Sequence, residues 1–487
     1  MAIEDARLDV LPNPLPVIGA KRPRTDGSAY QHVYAATGRS TVEVPLAGPS
    51  DVDAAVAEAR AATPVWKAVP VDERRRLLLD LAQAVGDHAD ELAAMSTTEN
   101  GTPVAGANMG RQMMQDCLRY YAGWPDKITG DVHPVWPVAG IDYSILEPYG
   151  VVAIIIPWNS PLFSLGLVIA PALAAGNCVV VKPPELTPFT SLRVAELALE
   201  VGFPPGVINV VPGDGAVGSA LVSHRGIDKI HFTGSGPTAR RILHSAAENL
   251  TPVATELGGK SPNLVFADAD LDLAAQRAVM FCMQVSGQGC VNGTRVLVQD
   301  SVHDELVERV REAVRIFTPG DPAKPDTTFG PVVNQTACDR IMGFIDRAKQ
   351  AGAGRIVAGG GRAGGDFAEG FYIEPTVFAD VDRSAEIVRE EIFGPVLSIV
   401  RFSDEQDAIA QANDTDYGLA SYIQTKDLSR AHRMADALDA GMVWINGTGG
   451  LPPSVPFGGV KQSGVGRLGG YAAIQEFSRT KNVWIGL

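Results

Sequence analysis

The stretch "VVAIIIPWNSPLFSLGLVIAPALAAGNCVVVK", residues 151–182, decides the fold class of this chain. It carries no charge before its last residue, so its composition alone permits a membrane-spanning segment. Prolines and asparagines interrupt it, however, and divide it into an apolar strand (151–156), a turn (157–162), a helix (163–175) and a second apolar strand (178–182). This order predicts a βαβ unit whose parallel sheet is buried on both faces.

The alternation of strands and helices continues along the chain. Strand-like runs at 207–211, 228–233 and 252–257 are separated by helical runs, which predicts a doubly wound dinucleotide fold. A second series of alternating strands and helices, from 262 to 425, predicts a second α/β domain. Strand-like segments at 133–150 and at the C-terminus fit neither series, so we expect them to pair with another element or another subunit.

The composition argues against several classes of function. The chain has 487 residues and a formal net charge of −15, which predicts a multi-domain globular protein that does not bind nucleic acid. It has no basic amphipathic segment suited to a membrane surface. Five scattered cysteines without a CxxC pair, and eight histidines without an HExxH motif, argue against a disulfide framework and a metal site. Because the start also lacks a secretion signal, we expect a cytoplasmic protein without a metal.

Two glycine-rich turns compete for the phosphate-binding role of the dinucleotide fold. "GDGAVG" (213–218) matches GxGxxG, "GSGPTA" (234–239) matches GxGxxA, and each follows a predicted strand. Glycines in such turns let backbone N–H groups and a helix N-terminus approach a pyrophosphate. Glycine-rich turns are nevertheless common in α/β proteins, and the second one places Glu256 near the position expected for a ribose-binding acid. Neither motif decides the assignment.

The stretch "SGQGCVNGTR" (286–295) places Cys290 among several glycines. Such a cysteine is a nucleophile, a metal ligand, half of a disulfide or a small buried hydrophobe, and burial is the commonest fate of a free cysteine. The odd, scattered set of cysteines weakens the metal and disulfide alternatives. A nucleophilic thiol also needs a base, a hydrogen-bond donor for the negative charge that forms, and a second reactant.

Six motifs occur in order along the chain: "PWNSPL" (157–162), "KPPE" (182–185), "ELGGKSP" (256–262), "GQGC" (287–290), "EEIFGPV" (390–396) and "PFGGVKQSGVGR" (456–467). Together they resemble the NAD(P)-dependent aldehyde dehydrogenase superfamily, over essentially the whole chain. The resemblance implies an α/β fold that is aldehyde dehydrogenase-like, with a Rossmann-type NAD-binding domain, an α/β catalytic domain and a small β oligomerisation extension. It also implies NAD-dependent oxidation of an aldehyde to the carboxylic acid.

The resemblance further implies three regions and a homodimer or homotetramer. They are an NAD-binding domain (1–128 and 148–257, with 459–475 packing back on it), a catalytic domain (258–458) and oligomerisation segments (129–147 and 476–487). The oligomerisation segments would add strand edges across the interface between subunits.

By the same resemblance, Cys290 is the nucleophile, Glu256 the general base and Asn159 the oxyanion donor. A thiol suits this reaction because it makes the carbonyl carbon tetrahedral before hydride leaves, and because the resulting thioester is readily hydrolysed. Glu256 would activate the thiol and later a water molecule. The Asn159 amide and the Cys290 backbone N–H would hold the oxyanion. Judged from the residues alone, Glu256 also fits a ribose contact or a salt bridge, and Asn159 fits a simple turn residue.

The cofactor contacts are expected at positions that match the family motifs. Lys182 and Glu185 match contacts to the adenosine ribose, where a carboxylate accepts from both hydroxyls and repels a 2′-phosphate. NAD is therefore expected in preference to NADP, although a plain surface Lys–Glu pair would show the same pattern. Gly234 and Ser235 match the pyrophosphate turn, and Gly215 matches the loop beside the adenine. The other expected contacts are Ile155, Pro157, Trp158, Phe232, Leu257, and, at the nicotinamide ribose and ring, Glu391 and Phe393.

The substrate pocket is expected at five positions of mixed size and polarity, none of them charged. They are Ser160, Gln284, Ser286, Val291 and Leu451. These residues predict a neutral aldehyde of medium size, since no arginine stands among them to fix a substrate carboxylate.

The chain departs from many relatives at three positions. Val168 and Leu468 stand where relatives carry a lysine and a glutamate that form a polar link toward the general base. Replacing both partners by apolar residues leaves no stranded charge, so we expect Glu256 to work without that link. Ala239 replaces a frequent glycine at a contact between helix and sheet.

Two other functions stay open at the level of sequence. A coenzyme A-acylating aldehyde dehydrogenase has no need of a hydrolytic glutamate, so the presence of Glu256 favours a free acid as the product. A non-catalytic nucleotide-binding protein has no need of Cys290, Glu256 and Asn159 together.

Overall fold

Strands and helices alternate along most of the chain. The computed structural model describes residues 3–448 and 450–486; residues 1, 2, 449 and 487, which the predicted domain ranges include, lie outside the described residues. The strands are β1 Ala29–Tyr34, β2 Arg39–Pro45, β3 Val132–His133, β4 Gly140–Pro148, β5 Val151–Ile155, β6 Cys178–Lys182, β7 Ile208–Val210, β8 Lys229–Thr233, β9 Val253–Glu256, β10 Pro262–Val265, β11 Arg295–Gln299, β12 Arg355–Ala358, β13 Thr376–Ala379, β14 Val396–Phe402, β15 Ala420–Gln424, β16 Met442–Ile445, β17 Gly464–Val465 and β18 Ser478–Gly486. The helices are α1 Pro49–Ala68, α2 Val71–Asp87, α3 Ala89–Asn100, α4 Val104–Ala122, α5 Pro161–Ala174, α6 Phe189–Glu200, α7 Gly215–Ser223, α8 Gly236–Ala247, α9 Leu271–Met283, α10 His303–Ala313, α11 Gln335–Gln350, α12 Glu386–Arg389, α13 Glu405–Asn413, α14 Leu428–Ala437 and α15 Gly470–Glu476.

The uncharged stretch at 151–182 folds as the predicted βαβ unit. β5 pairs with β6 on one side and with β8 on the other, in parallel in both cases. Every residue of β5 and β6 is buried, as expected where helices cover both faces of a parallel sheet. Helix α5 begins with Pro161 in its first turn, where a proline removes no helical hydrogen bond. Among the described residues no helix has both the length and the apolar character that crossing a bilayer requires.

The six-stranded sheet has the order β17-β9-β8-β5-β6-β7 and is parallel except for β17. β17 comes from late in the chain and pairs with the end of β9, so that Gly464 lies opposite Glu256. Gly464 has a φ of +142°, and a Cβ there would lie 2.2 Å from the Thr255 carbonyl oxygen. A glycine at this position therefore permits the close backbone approach that fixes the end of β9.

The seven-stranded sheet has the order β12-β13-β14-β11-β10-β15-β16. It is parallel except for the pairing of β12 with β13. Six of its strands lie in the second strand–helix series of the sequence, β16 lies beyond the range 262–425 predicted for that series, and the α/β class is confirmed. β11 follows the segment that carries Cys290, and the chain enters β14 after the segment that carries Glu391.

The two strand-like segments outside both series pair with each other. β4 and β18 form a nine-residue antiparallel ladder from Gly140↔Gly486 to Pro148↔Ser478, and β3 pairs with the other edge of β4. Apolar side chains on this three-stranded sheet and its connecting loop are exposed: Val132, Trp136, Val138, Ile141, Trp484 and Ile485. The two segments thus pair with another element of the same chain, as one of the two predicted alternatives requires, and the sheet that they form exposes apolar side chains.

Candidate active site

Glu256 is the last residue of β9 and is 4% exposed. The backbone of Gly458 approaches its carboxylate closely, because a Cβ on Gly458 would lie 2.9 Å from Oε1. Its Oε2 is buried without a hydrogen-bond partner among the described residues. Burial raises the pKa of Glu256 well above its ordinary value, and the Arg467 guanidinium lowers it only in part. The side chain is therefore a buried carboxyl group whose environment favours the protonated form more than water does.

The loop after β9 joins Glu256 to the cysteine segment. A Cβ on Gly259 would lie 2.9 Å from the Cys290 carbonyl oxygen. The Gly259 N–H donates to Glu391 Oε1 at 3.0 Å, and a Cβ on Gly258 would lie 2.0 Å from Glu391 Oε2. The two glycines of "ELGG" thus let the backbone touch both Cys290 and Glu391, which brings three of the six sequence motifs to one place.

The segment before Cys290 has an unusual backbone. Val285 and Ser286 have φ of +52° and +53°, a conformation that costs about 1–3 kcal/mol for a non-glycine residue. Gly287 follows at φ +78°, where a Cβ would lie 2.1 Å from the Gly394 carbonyl carbon. Gln288 holds the turn from inside: its Nε2 donates to the Val285 carbonyl at 3.2 Å, and its Oε1 accepts from the Val333 N–H at 3.0 Å.

Asn159 lies against this same segment. Its Nδ2 donates to the Gln288 carbonyl at 2.7 Å, so the amide is held two residues from Cys290. Trp158 is fixed from both sides, since its carbonyl accepts from Asn100 Nδ2 at 3.1 Å and its ring meets that of Phe393 edge-on at 5.4 Å. The turn after β5 therefore reaches the turns that precede β11 and β14.

Cys290 is partly exposed at the meeting point of these segments. Burial of the thiol, and then the nearby carboxylates of Glu391 and Glu256, raise its pKa to about 12. Backbone N–H groups of Cys290 and Val291 act in the opposite direction. A thiol with such a pKa is protonated at neutral pH, so any nucleophilic role requires a neighbouring group that removes the proton.

Lys182 and the first glycine turn lie together at the carboxyl end of β6. Lys182 is 6% exposed, and its Nζ donates to the carbonyls of Gly213 and Pro183. Burial lowers its pKa to about 8, while the charges of Glu185 and Asp214 act against that decrease. Gly215 is exposed at the start of α7, and a Cβ there would meet no described atom within 4 Å. This open space beside Lys182 and Glu185 is where the sequence places the adenosine.

The two glycine turns end in helices with different N-termini. Asp214 caps α7 with its own carboxylate, which accepts from the Ala216 and Val217 N–H groups at 2.9 and 3.3 Å. Ser235 is the N-cap residue of α8, but no side chain of the described residues accepts from the first N–H groups of that helix. The α8 N-terminus is thus free to bind an anion, whereas the α7 N-terminus is already capped by the Asp214 carboxylate.

The remaining predicted cofactor residues cluster where β5, β8 and β9 end. Ile155 lies opposite Phe232 in the parallel ladder of β5 and β8, and both side chains are buried. Gly234 packs on the Phe232 ring, and its N–H donates to the Glu256 carbonyl at 3.0 Å. Pro157 and Leu257 are partly exposed at the ends of β5 and β9. The structure brings these residues to the carboxyl edge of the sheet, where dinucleotide folds bind their ligands.

The five residues predicted for the substrate pocket do not all face outward. Ser160, Val291 and Leu451 are partly exposed, and Gln284 is exposed with its amide donating to Asn292 Oδ1 at 3.0 Å. Ser286 is 3% exposed, and its hydroxyl donates to the Gly330 carbonyl at 2.8 Å. The prediction for Ser286 therefore needs correction: the left-handed backbone turns this side chain into the interior.

Comparison with known proteins identifies the family to which this chain belongs. The family model of the aldehyde dehydrogenase family matches residues 22–483. The chain belongs to the aldehyde dehydrogenase family. Its fold is similar to that of an aldehyde dehydrogenase from Burkholderia cenocepacia described as putative, with 39% identity, a TM-score of 0.94 and 97% of each chain covered.

Two further solved structures of similar fold contain a cofactor. PnpE, known from Pseudomonas sp. WBC-3, was crystallised with nicotinamide adenine dinucleotide; it is 40% identical, with a TM-score of 0.95 and 97% of each chain covered. A betaine aldehyde dehydrogenase from Staphylococcus aureus, a point mutant, was crystallised with NAD+ and a BME-modified cysteine. It is 35% identical, with a TM-score of 0.94 and 97% of each chain covered.

Two residues of this aldehyde dehydrogenase site were missed by the sequence analysis. Lys260, the lysine of "ELGGKSP", is 1% exposed and its Nζ has no partner among the described residues; burial lowers its pKa to about 8. Arg340 of α11 donates to the carbonyls of Ile392 and Phe393, at 2.5 and 3.4 Å, and so holds the turn that carries Glu391. Lys260 belongs to the motif "ELGGKSP" (256–262), whereas no local pattern in the sequence indicates a role for Arg340.

Val168, Leu468 and Ala239, the three positions singled out in the sequence, are buried apolar residues. Val168 of α5 and Leu468, 1% and 2% exposed, belong to the same hydrophobic cluster. Leu468 and Phe457 exchange two backbone hydrogen bonds of 2.7 and 2.8 Å, which fix the segment next to Arg467. Ala239 of α8 is buried, consistent with a small residue at a contact between helix and sheet.

Proposed function

We propose that this aldehyde dehydrogenase oxidises an aldehyde to the carboxylic acid, with NAD as hydride acceptor, through a thioester on Cys290. The observation that carries the proposal is the convergence of two segments, the turn of Asn159 and the stretch 256–259, on the segment that carries Cys290. The Asn159 amide donates a hydrogen bond to the Gln288 carbonyl, and the Gly259 backbone packs against the Cys290 carbonyl. The Glu256 carboxylate is close enough to raise the pKa of the Cys290 thiol.

In this proposal Glu256 removes the proton from the Cys290 thiol, directly or through one water molecule. The sulfur then attacks the carbonyl carbon, and the electron pair of the carbonyl bond moves onto oxygen. Asn159 Nδ2 and the Cys290 N–H donate to that oxygen. NAD, when bound, supplies the acceptor for the hydride that leaves the tetrahedral carbon. Glu256 then releases the thiol proton to solvent. It later takes a proton from the water that attacks the thioester carbon, and as the carbon–sulfur bond breaks this proton returns to the leaving sulfur.

The residues present fit a dinucleotide. The α8 N-terminus lacks a side-chain cap among the described residues and is the proposed pyrophosphate site, with Gly234 and Ser235 in its turn. Lys182 and Glu185 would hold the adenosine ribose, and the open space at Gly215 would take the adenine. Around the nicotinamide we propose Trp158, Leu257, Glu391 and Phe393, and we propose Ile155, Pro157 and Phe232 as further contacts to the cofactor.

We further propose that Glu185 makes the enzyme prefer NAD to NADP. A carboxylate beside Lys182 accepts from ribose hydroxyls and repels a 2′-phosphate. In Glu185→Gln we expect the ratio of kcat/KM for NADP to kcat/KM for NAD to rise about tenfold or more. An unchanged ratio would show that Glu185 is only a surface partner of Lys182.

The proposed substrate is a neutral aldehyde of medium size. Ser160, Gln284, Val291 and Leu451 would line its pocket, and Ser286 is left out because its hydroxyl is bonded in the interior. NADH formation measured over aldehydes of increasing size, with and without a carboxylate group, tests this part. A clear preference for an aldehyde that carries a carboxylate would contradict it.

The absence of a polar link to Glu256 has a consequence for deacylation. Since Val168 and Leu468 are both buried in one apolar cluster, we propose that water alone carries the proton away from Glu256. The double variant Val168→Lys, Leu468→Glu would place a compensated pair there. A shift in the pH dependence of turnover is the expected result. An unchanged profile in a folded double variant would deny any functional role to the pair.

We also propose the domain division and assembly implied by the sequence motifs. Residues 148–257 form most of the proposed NAD-binding domain and 258–458 the catalytic domain. The sheet of β3, β4 and β18 would pair with another subunit, since it exposes Trp136 and Trp484, 84% and 49% accessible. A cytoplasmic location fits five cysteines that are all free.

One assay tests the central proposal. Purified enzyme is given NAD and an aldehyde panel, with and without coenzyme A, and both NADH and the acid or acyl product are measured. We expect NADH and free acid without coenzyme A. A strict requirement for coenzyme A would make the protein an acylating enzyme, and no turnover with any aldehyde would leave a nucleotide-binding protein.

A further inference from the structure

A cavity of about 200 Å³ is lined by none of the residues proposed for the active site or the substrate pocket. It is bounded by the start of β11, by α12 and its preceding loop, and by the end of α13. Its lining residues are Arg295, Leu297, Arg383, Val388, Arg389, Ala410, Gln411 and Asp414. Three guanidinium groups and one carboxylate therefore share a small space.

Arg295 is the unusual member of this set because it is a buried cation, 2% exposed. Its terminal nitrogens donate to the carbonyls of Gln411 and Ala412, at 2.8 and 2.9 Å, at the end of α13. Its Nε has no partner among the described residues, and neither has the buried Oε1 of Gln411, another lining residue. Burial, and then the charge of Arg389, lower the pKa of Arg295 to about 10.

The other two arginines leave the cavity with an excess of positive charge. Arg389 binds Asp414 at 2.5 Å, and Arg383 lies 3.6 Å from Asp407. These two pairs are at the rim, and no carboxylate of the described residues forms an ion pair with Arg295. The Asp414 carboxylate is paired with Arg389 and offsets the buried charge of Arg295 only in part, so an anion in the adjoining space would lower the remaining cost.

We propose that this cavity binds a small oxyanion, a phosphate or carboxylate group, held by Arg295, Arg383 and Arg389. Guanidinium groups are suited to this because they donate two parallel hydrogen bonds to such an anion. The unpartnered Nε of Arg295 supplies one buried donor, and a hydroxyl of a partly protonated phosphate would donate to Gln411 Oε1.

The position of the cavity links it to the active site. Arg295 follows Cys290 by five residues, and Arg389 precedes Glu391 by two. An anion that draws these two arginines together would act on both segments that flank the thiol. Binding is therefore expected to alter the reactivity of Cys290 as well as the stability of the protein.

The test uses inorganic phosphate and, separately, malonate, measured by titration calorimetry on the full chain at constant ionic strength. Saturating NAD is present throughout, so that the anion does not occupy the α8 N-terminus. We expect one phosphate per chain, and affinity at least about tenfold lower in Arg389→Gln and in Arg383→Gln. Arg315→Gln, at an exposed arginine paired with Glu312, serves as the matched control. If malonate competes with phosphate, carboxylates share the site; if it does not, the site is specific for phosphate.

Two results would overturn the proposal. One is wild-type protein that binds neither anion at one site per chain. The other is binding that Arg383→Gln and Arg389→Gln leave unchanged, which would place the anion elsewhere. Because Arg383 and Arg389 are at the rim, both variants should fold, and their thermal midpoints verify this. The rate of Cys290 alkylation with and without phosphate then tests the link to the active site.

Discussion

The two walls of the proposed cleft are built in different ways. The cofactor wall consists of the turns that follow β5, β6, β7 and β8, and the cysteine wall consists of residues 284–292 and 390–394. In the described cofactor-wall turns no residue other than glycine has a positive φ, whereas the cysteine wall has Val285, Ser286 and Phe393 at +52°, +53° and +49°. Backbone strain is thus concentrated where the proposed chemistry takes place.

This difference has a physical reason. A dinucleotide is held by backbone N–H groups and helix ends, which regular strand-to-helix turns provide at their carboxyl edge. A nucleophilic thiol must instead be reachable by substrate, and Cys290 is partly exposed after a left-handed turn that Gln288 holds. Strained conformations of this kind persist only where the surrounding contacts over-determine them.

We expect the largest effect from removing the Cys290 thiol, the reactive group of the cysteine wall. In Cys290→Ala we expect kcat/KM for aldehyde oxidation to fall by about 10⁴-fold or more, because no other group can form the thioester. Affinity for NAD should change little, since the thiol contributes few of the proposed cofactor contacts. Cys338→Ala, at a buried cysteine of α11, is the control and should retain activity. Equal activity in Cys290→Ala and wild type would remove the thiol from the mechanism.

Glu256 lies between the two walls, and its pKa predicts how activity depends on pH. Because burial raises this pKa well above the ordinary value, the base form is lost as pH falls through that raised pKa, and activity falls with it. Glu256→Gln should lower turnover by about 10²- to 10⁴-fold and abolish this acidic limb. The folded state favours protonated Glu256, so its contribution to stability is complete below its unfolded pKa and is lost as pH rises through the folded one.

Arg467 offers a control on the same pH profile. Its charge lowers the pKa of Glu256, so Arg467→Gln should move the acidic limb to higher pH without abolishing turnover. Turnover measured from pH 5 to 9 on both variants separates the two effects. If turnover of Glu256→Gln fell at low pH as it does in the wild type, the titrating group would be one other than Glu256.

The same contrast explains what the sequence could predict. The sequence predicts strands at 151–156 and 178–182 and a helix at 163–175. The structure has the strands at Val151–Ile155 and Cys178–Lys182 and the helix at Pro161–Ala174. The agreement is close because apolar runs and prolines are local signals. The orientation of the Ser286 side chain depends on a left-handed backbone conformation that the amino-acid sequence does not indicate. Arg340 reaches the Glu391 turn from 51 residues earlier in the chain, a contact that only the fold creates.

Alanine substitutions at two glycines compare the walls directly. In Gly287→Ala the new Cβ would need a position 2.1 Å from the Gly394 carbonyl carbon, at φ +78°, so we expect a loss of stability of about 2–4 kcal/mol. In Gly215→Ala the Cβ meets no described atom within 4 Å, and stability should be unchanged or slightly higher. Thermal midpoints measure both. A Gly287→Ala protein as stable as wild type would show that the cysteine wall relaxes freely and holds no strain.

The smallest expected effect concerns the cofactor wall alone and decides between its two glycine turns. Ser235→Asp would place a carboxylate on the free α8 N-terminus, which stabilises the helix by about 0.5–1 kcal/mol but opposes a pyrophosphate there. We therefore expect a slightly higher thermal midpoint together with a KM for NAD raised about tenfold. Asp214→Asn removes a charge from α7 but keeps an oxygen that accepts from Ala216 and Val217, so its KM for NAD should stay the same. If Asp214→Asn changed the KM and Ser235→Asp did not, the pyrophosphate would belong to the first glycine turn and the free helix end would have another partner.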